Sequence, residues 1–400
     1  MLRKAVRQAA LAASFPQARD DLSALAELSI STSHLQRLSQ RIGREWADAR
    51  DHDVAAYRAG QLPRDYDEPP AAPTVAAVML DGGRVQTRAE GQGPGVHDPA
   101  WKETKVACCL TLDSPPPAAD PQPQPPAKFL DPVRVARLAA EMKARGGPAA
   151  GRPDKPAAGA KKRRRKKRRP RRIRQLVRTV VATTQDSEAL GWQMAAEVHR
   201  RGLDRAARKA CVCDGQRYNW VLFELHLEPS GFVGILDFLH LLVYLYAAAH
   251  AAAGKGAPAA WQLYERWLRW AWGGQVKVLL AGLRAAAERA GPPPAGAGED
   301  DPRQVVAEAV TYVTNNRRRM DYPAYRRLGL PISSAPVESA IKQLNRRIKG
   351  SEKFWLLGGA EALLQVRAAY LSEDGRAERY WARPRPNARA VGGGRLRPTG

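Results

Sequence analysis

The sequence predicts a mixed α/β fold: a small sheet preceded by helices and interrupted by a large all-helical block. Three observations carry that prediction. Short apolar runs of β-forming residues occur at Thr74–Leu80, Lys102–Leu112, Ala210–Cys213 and Phe232–Leu236. Apolar residues at helical spacing separate the later runs. Residues 238–320 then read as helix, broken by the Pro/Gly-rich loop Gly291–Pro302.

The elements follow in chain order. Phe15, Ala18, Leu22, Leu25 and Leu28 recur at helical spacing, and Leu28–Ser31 reads as a turn. Ser31 is an N-cap candidate for a helix through Ile42 whose apolar face is Leu35, Leu38 and Ile42. Two short helices around a tight turn, the second decorated by His34, Gln36, Arg37 and Arg41, fit a helix-turn-helix or a plain helical hairpin over residues 1–50. Residues 51–72 are polar and Pro-containing, hence a linker. Thr74–Leu80 is the first strand, ending at Asp81-Gly82-Gly83; Val85–Arg88 reads as a returning strand and Lys102–Leu112 as a third, an antiparallel meander. Residues 113–172 hold the Pro-rich Ser114–Pro126 and the basic Gly146–Arg172 around one helix, Pro132–Arg145. That composition predicts a surface insertion, partly disordered.

Order resumes with a helix over Ser187–Arg201, stopped by Gly202. The strand Ala210–Cys213 ends in Asp214-Gly215, and Gln216–Leu227 is helical. The strand Phe232–Leu236 ends in Asp237, and a helix follows from Phe238. The aromatic cluster Trp261, Tyr264, Trp267, Trp270 and Trp272 reads as core. After Pro331 a capped helix, Val337–Ile348, carries Glu338 near its start, and the basic tail 383–400 is predicted to be disordered.

Charge narrows the function. Lys and Arg number 65 against 40 Asp and Glu, a formal net charge of +25. Twelve basic residues lie in Lys161–Arg174, and the remainder is still basic. This disfavours an acidic or neutral enzyme and favours a polyanionic partner. The four cysteines, Cys108, Cys109, Cys211 and Cys213, lack C-x-x-C spacing and predict core packing in a reduced intracellular protein. Arg3, Lys4 and Arg7 are not followed by an apolar stretch, so no secretory signal is expected. Gly231–Gly254 is long enough to span a bilayer, but Asp237, His240 and His250 would then sit in lipid; a buried strand and helix explain it better.

Three acids stand out by position: Asp81 ends the first strand, Asp214 ends a later one, and Glu338 begins a helix. If those strands are neighbours, their carboxylates share one cleft. Three such groups repel unless cations neutralise them, and two Mg²⁺ ions with oxygen ligands can do so and cut a phosphodiester in line. On the residues alone the plain alternative stays open, in which the Asp-Gly pairs are turns and Glu338 compensates a helix dipole.

Five motifs in order carry a resemblance: Leu80-Asp81-Gly82-Gly83-Arg84-Val85, followed by Trp101-Lys102-Glu103; Cys213-Asp214-Gly215-Gln216-Arg217-Tyr218-Asn219-Trp220; Ile235-Leu236-Asp237-Phe238-Leu239-His240; Asn316–Tyr322; and Gly329–Ser339. Over most of residues 10–382 the chain resembles transposases of the ISKra family of bacterial insertion sequences, related to Mutator-like DDE transposases. The resemblance implies an RNase H-like core and a metal-binding catalytic triad of Asp81, Asp214 and Glu338. It implies two Mg²⁺ ions, replaceable by Mn²⁺. Asp237 and His240 match its D-x-x-H motif and are expected to steady the ligands rather than bind metal. Arg346, Arg347, Lys349 and Lys353 would hold phosphates near the metals, unless they are a solvated helix face. Trp355 would stack on a base or, more simply, lie in the core. The partners implied are double-stranded DNA at element ends and target, a homo-oligomer on that DNA, and a cytoplasmic, nucleoid-associated setting. Family members usually carry cysteine pairs before the helix-turn-helix and a Gly-rich approach to the Glu. Here the chain opens at Met1 and has Ser333-Ser334-Ala335-Pro336. Those departures imply the alternative of a truncated or domesticated, catalytically silent DNA-binding regulator. An RNA-binding role, suggested by the Arg-rich tract, is the third.

Overall fold

The computed structural model describes residues 1–65, 73–93, 95–98, 100–143, 173–254 and 257–383. The basic tract up to residue 172 and the tail from 384 lie outside the described residues, and so do the expectations of disorder placed on them. Five strands form one mixed sheet: β1 (Val75–Thr87), β2 (Ala100–Asp113), β3 (Arg174–Thr183), β4 (Arg208–Cys213) and β5 (Val233–Leu236), in the spatial order β3-β2-β1-β4-β5. β1 pairs antiparallel with β2, and β2 antiparallel with β3. β4 runs parallel to both β1 and β5. Val75 to Leu80 are all buried although alternate side chains point to opposite faces, so both faces of the sheet are covered.

The meander is present, with its strands elsewhere than predicted. Val85–Arg88 is not a returning strand. β1 runs straight through Asp81-Gly82-Gly83, and neither glycine takes the left-handed φ that a tight type I′ turn demands. The third meander strand is β3, which the sequence hides. It is a sheet edge, its first half is exposed, and Arg174, Gln175 and Arg178 read as an extension of the basic run.

Three helices open the chain: α1 (Leu2–Leu11), α2 (Phe15–Ala26) and α3 (Thr32–Arg58). Ser31 Oγ caps α3 through the His34 amide, as predicted. The helix does not stop at Ile42 but runs sixteen residues further, into the segment predicted as linker. Gly43 lies inside it because α3 lies along a later helix: a Cβ there would sit 2.1 Å from the Ala362 carbonyl oxygen.

After β2 the chain passes through α4 (Pro132–Lys143), and after β3 through α5 (Ser187–Arg200) and, beyond β4, α6 (Arg217–His226). The Pro-rich stretch before α4 is a strap against the helical block. Gln122 and Phe129 carbonyls accept from Trp272 Nε1 (2.8 Å) and the Tyr264 hydroxyl (3.0 Å), and Asp120 pairs with Arg326. The block comprises α7 (Phe238–Ala253), α8 (Pro258–Trp272), α9 (Val276–Ala290), α10 (Pro302–Asn316) and the short α11 (Tyr322–Arg327). Tyr264, Trp267 and Trp272 are its core, as the aromatic spacing suggests. α12 (Ala335–Ile348) returns to pack on β1 and β2, α13 (Leu357–Leu371) packs on β3 and α3, and α14 (Arg376–Ala382) follows. No helix among the described residues is long and apolar enough to cross a membrane.

Candidate metal centre

β4 and β5 end in register with each other and with Leu80 of β1. Leu80 pairs with Cys213, and Cys213 with Leu236. The next residue on each strand is an aspartate: Asp81, Asp214 and Asp237. The strands are apolar until they leave the core, and each turns polar at the same row. The carboxyl ends of parallel strands are where such sheets form ligand crevices. β1 continues past that row, paired to β2 alone, so Asp81 lies mid-strand at the base of a two-stranded ribbon rather than at a turn. Glu338 arrives from the first turn of α12 and is 8% exposed.

Each acid is held by neighbours. Asp81 Oδ1 accepts from the Gly82 amide at 2.7 Å. Asp214 Oδ1 accepts from the Gln216 amide (3.0 Å) and Asn219 Nδ2 (2.9 Å), while its backbone carbonyl accepts from the Tyr312 hydroxyl (2.7 Å). Gly215, at φ +92°, keeps the chain against α10: a Cβ would come within 2.9 Å of the Tyr312 ring. Asp237, fully buried, is engaged by three donors. Its Oδ1 takes the Leu239 amide, capping α7, and its Oδ2 takes Ser334 Oγ (2.5 Å) and His240 Nδ1 (2.7 Å). That Ser334 bond, with the Phe238 amide donating to the Ile332 carbonyl (3.0 Å), ties the start of α7 to the start of α12 and so sets where Glu338 projects.

The electrostatics record the crowding. Burial pushes the Asp81 carboxyl up to about 7, and the charges of Asp214 and Glu338 push the same way, against the Gly82 amide and His240. Burial works against a charged His240, yet its bond to Asp237 and the charges of Asp237, Asp214 and Asp81 raise it to about 9. Asp81, Asp214 and Glu338 line one cleft with His240, of cavity volume about 1860 Å³.

The donor set suits a hard divalent cation: three carboxylates and one imidazole. The tightest grouping of ligand atoms is Asp237, His240 and Glu338, whose atoms lie within 4.8 Å of one another. Asp237 has both oxygens committed to protein donors, so its geometry is that of a residue that orients its neighbours. Of the expected triad, only Glu338 belongs to that grouping among the described residues; Asp81 and Asp214 line the same cleft outside it.

The expected phosphate-binding residues divide. Arg346 is exposed, and Lys349 lines the cleft. Arg347 is only 1% exposed: its Nε donates to the Ala9 carbonyl at 2.8 Å, and its guanidinium lies over Phe15 and Trp355. Burial and Arg367 lower it to about 10. It fastens the N-terminal helices to α12 and is not available to DNA. Lys353 is half-buried and donates to the Arg346 carbonyl (3.4 Å). Trp355 is buried, with Nε1 donating to the Ile348 carbonyl.

Sequence reasoning missed Tyr312 and Tyr244, and it named Ser334 only as a departure from a Gly-rich approach, not as the partner of Asp237. The two tyrosine rings stack at 3.8 Å on the helical wall beside Asp214. Tyr312 sits four residues before the Asn316 motif, one helical turn, which is the only signal the sequence offered. Asn316 itself supports this wall, accepting from Trp220 Nε1 and donating to the Tyr312 carbonyl. No family model, curated protein or solved structure matches the chain.

Proposed function

We propose that the chain is a Mg²⁺-dependent DNA transposase that cleaves the ends of an insertion sequence and joins them to target DNA. The observation that carries this reading is the strand order β3-β2-β1-β4-β5 with Asp81 and Asp214 on neighbouring parallel strands and Glu338 on a helix packed against them. Acids on neighbouring parallel strands and on a helix packed against them are what the RNase H-like core implied by the resemblance would need, and this arrangement supports that reading.

Asp81, Asp214 and Glu338 would hold two Mg²⁺ ions. When bound, these supply positive charge at the attacking and leaving oxygens of an in-line displacement. The chain's own contribution is placement. Asn219 and the Gln216 amide fix Asp214, Asp237 and Ser334 fix the helix that bears Glu338, and Asp237 holds the His240 ring by Nδ1. Lys349 and Arg346 supply charge for the phosphates along α12. α2 and α3 would read element ends through the exposed His34, Arg37 and Arg41.

The test is strand cleavage of a supercoiled plasmid carrying the DNA that flanks this coding region, with Mg²⁺, by the full chain and by Asp214→Asn. Cleavage by the parent and none by the variant is expected. Cleavage by Asp214→Asn at the parent rate contradicts the assignment. Tight DNA binding without cleavage by either protein would instead favour the silent regulator.

A further inference from the structure

Beyond the acid row, β1 and β2 continue as a ribbon from Asp81↔Val106 to Thr87↔Ala100, with no third strand beside them from β4. The ribbon is nonetheless braced at its far end. The Trp355 amide donates to the Gln86 carbonyl (3.0 Å), the Arg88 amide donates to the Trp355 carbonyl (3.0 Å), and Trp355 is locked to α12 through Ile348. On this ribbon stands Trp101, 39% exposed, at the rim of the cleft. A single part-exposed indole is ordinary on a protein surface; what sets this one apart is its place on the cleft rim beside cations and an unpartnered amide oxygen.

Its neighbours describe that partner. Lys349 Nζ lies 5.5 Å from the Trp101 ring centroid, and Arg84 and Lys342 line the same wall. Asn345 lines it too, and its Oδ1 is buried with no hydrogen-bond partner among the described residues, an acceptor open to an amino group. The opposite wall, on α10 and the loop before it, carries Glu299 and Glu308. The ribbon wall also carries Glu103, opposite Arg84 and paired with Lys105 Nζ at 2.9 Å, so its net cationic character comes from Arg84, Lys342 and Lys349 together, while Glu299 and Glu308 leave the other wall acidic.

We propose that Trp101 is the stacking platform for an unpaired DNA base next to the scissile phosphate, with Lys349 and Arg84 neutralising that strand's backbone. A base inside a duplex has both faces covered by its neighbours, so the indole can stack only on a base that has left the stack or ends a strand. The charge difference between the walls then pins a single strand to the ribbon and α12. This inference rests on the transposase reading and adds to it the form of substrate: DNA splayed at the cut rather than intact duplex.

The test is binding, measured separately from cleavage. Fluorescence anisotropy is read at fixed salt with Ca²⁺ in place of Mg²⁺, on an oligonucleotide duplex and on the same duplex with four unpaired nucleotides at one end. The parent binds the frayed probe more tightly. Trp101→Ala loses about 5–100-fold on the frayed probe and little on the duplex, and Trp101→Phe recovers most of the loss. Lys349→Gln lowers the slope of log affinity against log salt by about 1, while Trp101→Ala leaves that slope unchanged. Thermal melts report whether the variants are folded. Equal affinity of Trp101→Ala and parent for the frayed probe overturns the proposal, as does an equal loss on both probes; either result leaves the cleavage reading standing. A parent that binds neither probe would overturn the transposase reading itself.

Discussion

Two buried acid clusters sit on the same sheet and are built in opposite ways. Behind β3, Glu197 and Asp374 are interleaved with Arg200 and Arg376, at N–O separations of 2.7 Å for Arg200–Glu197 and 2.9 Å for Arg376–Asp374. Burial alone would raise the Glu197 carboxyl; Arg376 and Arg200 outweigh it and hold it well below the usual range. Midway along β1 and at the end of β4, Asp81 and Asp214 line one cleft with Glu338 and His240, and Asp81 is driven up to about 7. The first cluster brings its cations with it and closes the fold. The second holds more negative charge than its own residues balance and opens onto a cleft. The second is where the proposed divalent ion would bind; the first is already balanced by its own arginines.

The largest expected effect breaks the self-sufficient cluster. Arg376→Met leaves Glu197 and Asp374 buried without their shared partner and should cost about 3–5 kcal/mol in denaturant unfolding. The same cluster sets an acid limit. Because the Glu197 carboxyl is depressed in the folded state, its stabilisation is present above the ordinary carboxylate range. It is lost as pH falls below about 4 toward the folded value. Glu197→Gln should therefore flatten the acid limb of the stability profile, and an unchanged limb would count against the pairing.

Next in size is the bond that aims Glu338. Asp237→Asn should lower Mg²⁺-dependent cleavage about 10–100-fold, with Mg²⁺ affinity falling alongside, while the protein stays folded. A smaller effect has the opposite sign from ordinary core damage. Without divalent ions at pH 8, Asp81→Asn should stabilise the protein by about 1–2 kcal/mol, because it removes a charge that burial and two acids oppose. Added Mg²⁺ should raise the melting temperature of the parent and not of this variant. Smallest of all, Arg346→Gln should leave stability within about 0.5 kcal/mol, as expected for an exposed side chain.

The comparison also shows what a sequence can disclose. Asp81, Asp214 and Asp237 were legible because each follows an apolar run, and a run that stops at a carboxylate marks where a strand leaves the core. Glu338 was legible from its helix start. The partners were not. Ser334 lies 97 residues from Asp237, and Arg347 is buried by a carbonyl at residue 9, so nothing local signals either contact. β3 was masked by its arginines, and the length of α3 by Gly43, whose reason lies on another helix. The Glu197 cluster joins α5, α14 and the segment before α14, and no spacing rule links them.

The most direct measurement is divalent-ion binding itself. Calorimetric titration of the full chain with Mn²⁺ should show saturable binding in the parent, and this should be lost in Asp214→Asn and in Glu338→Gln while Glu352→Gln, at an exposed glutamate on the same segment, retains it. Binding that survives both cleft substitutions unchanged would contradict the proposed cage of Asp81, Asp214 and Glu338.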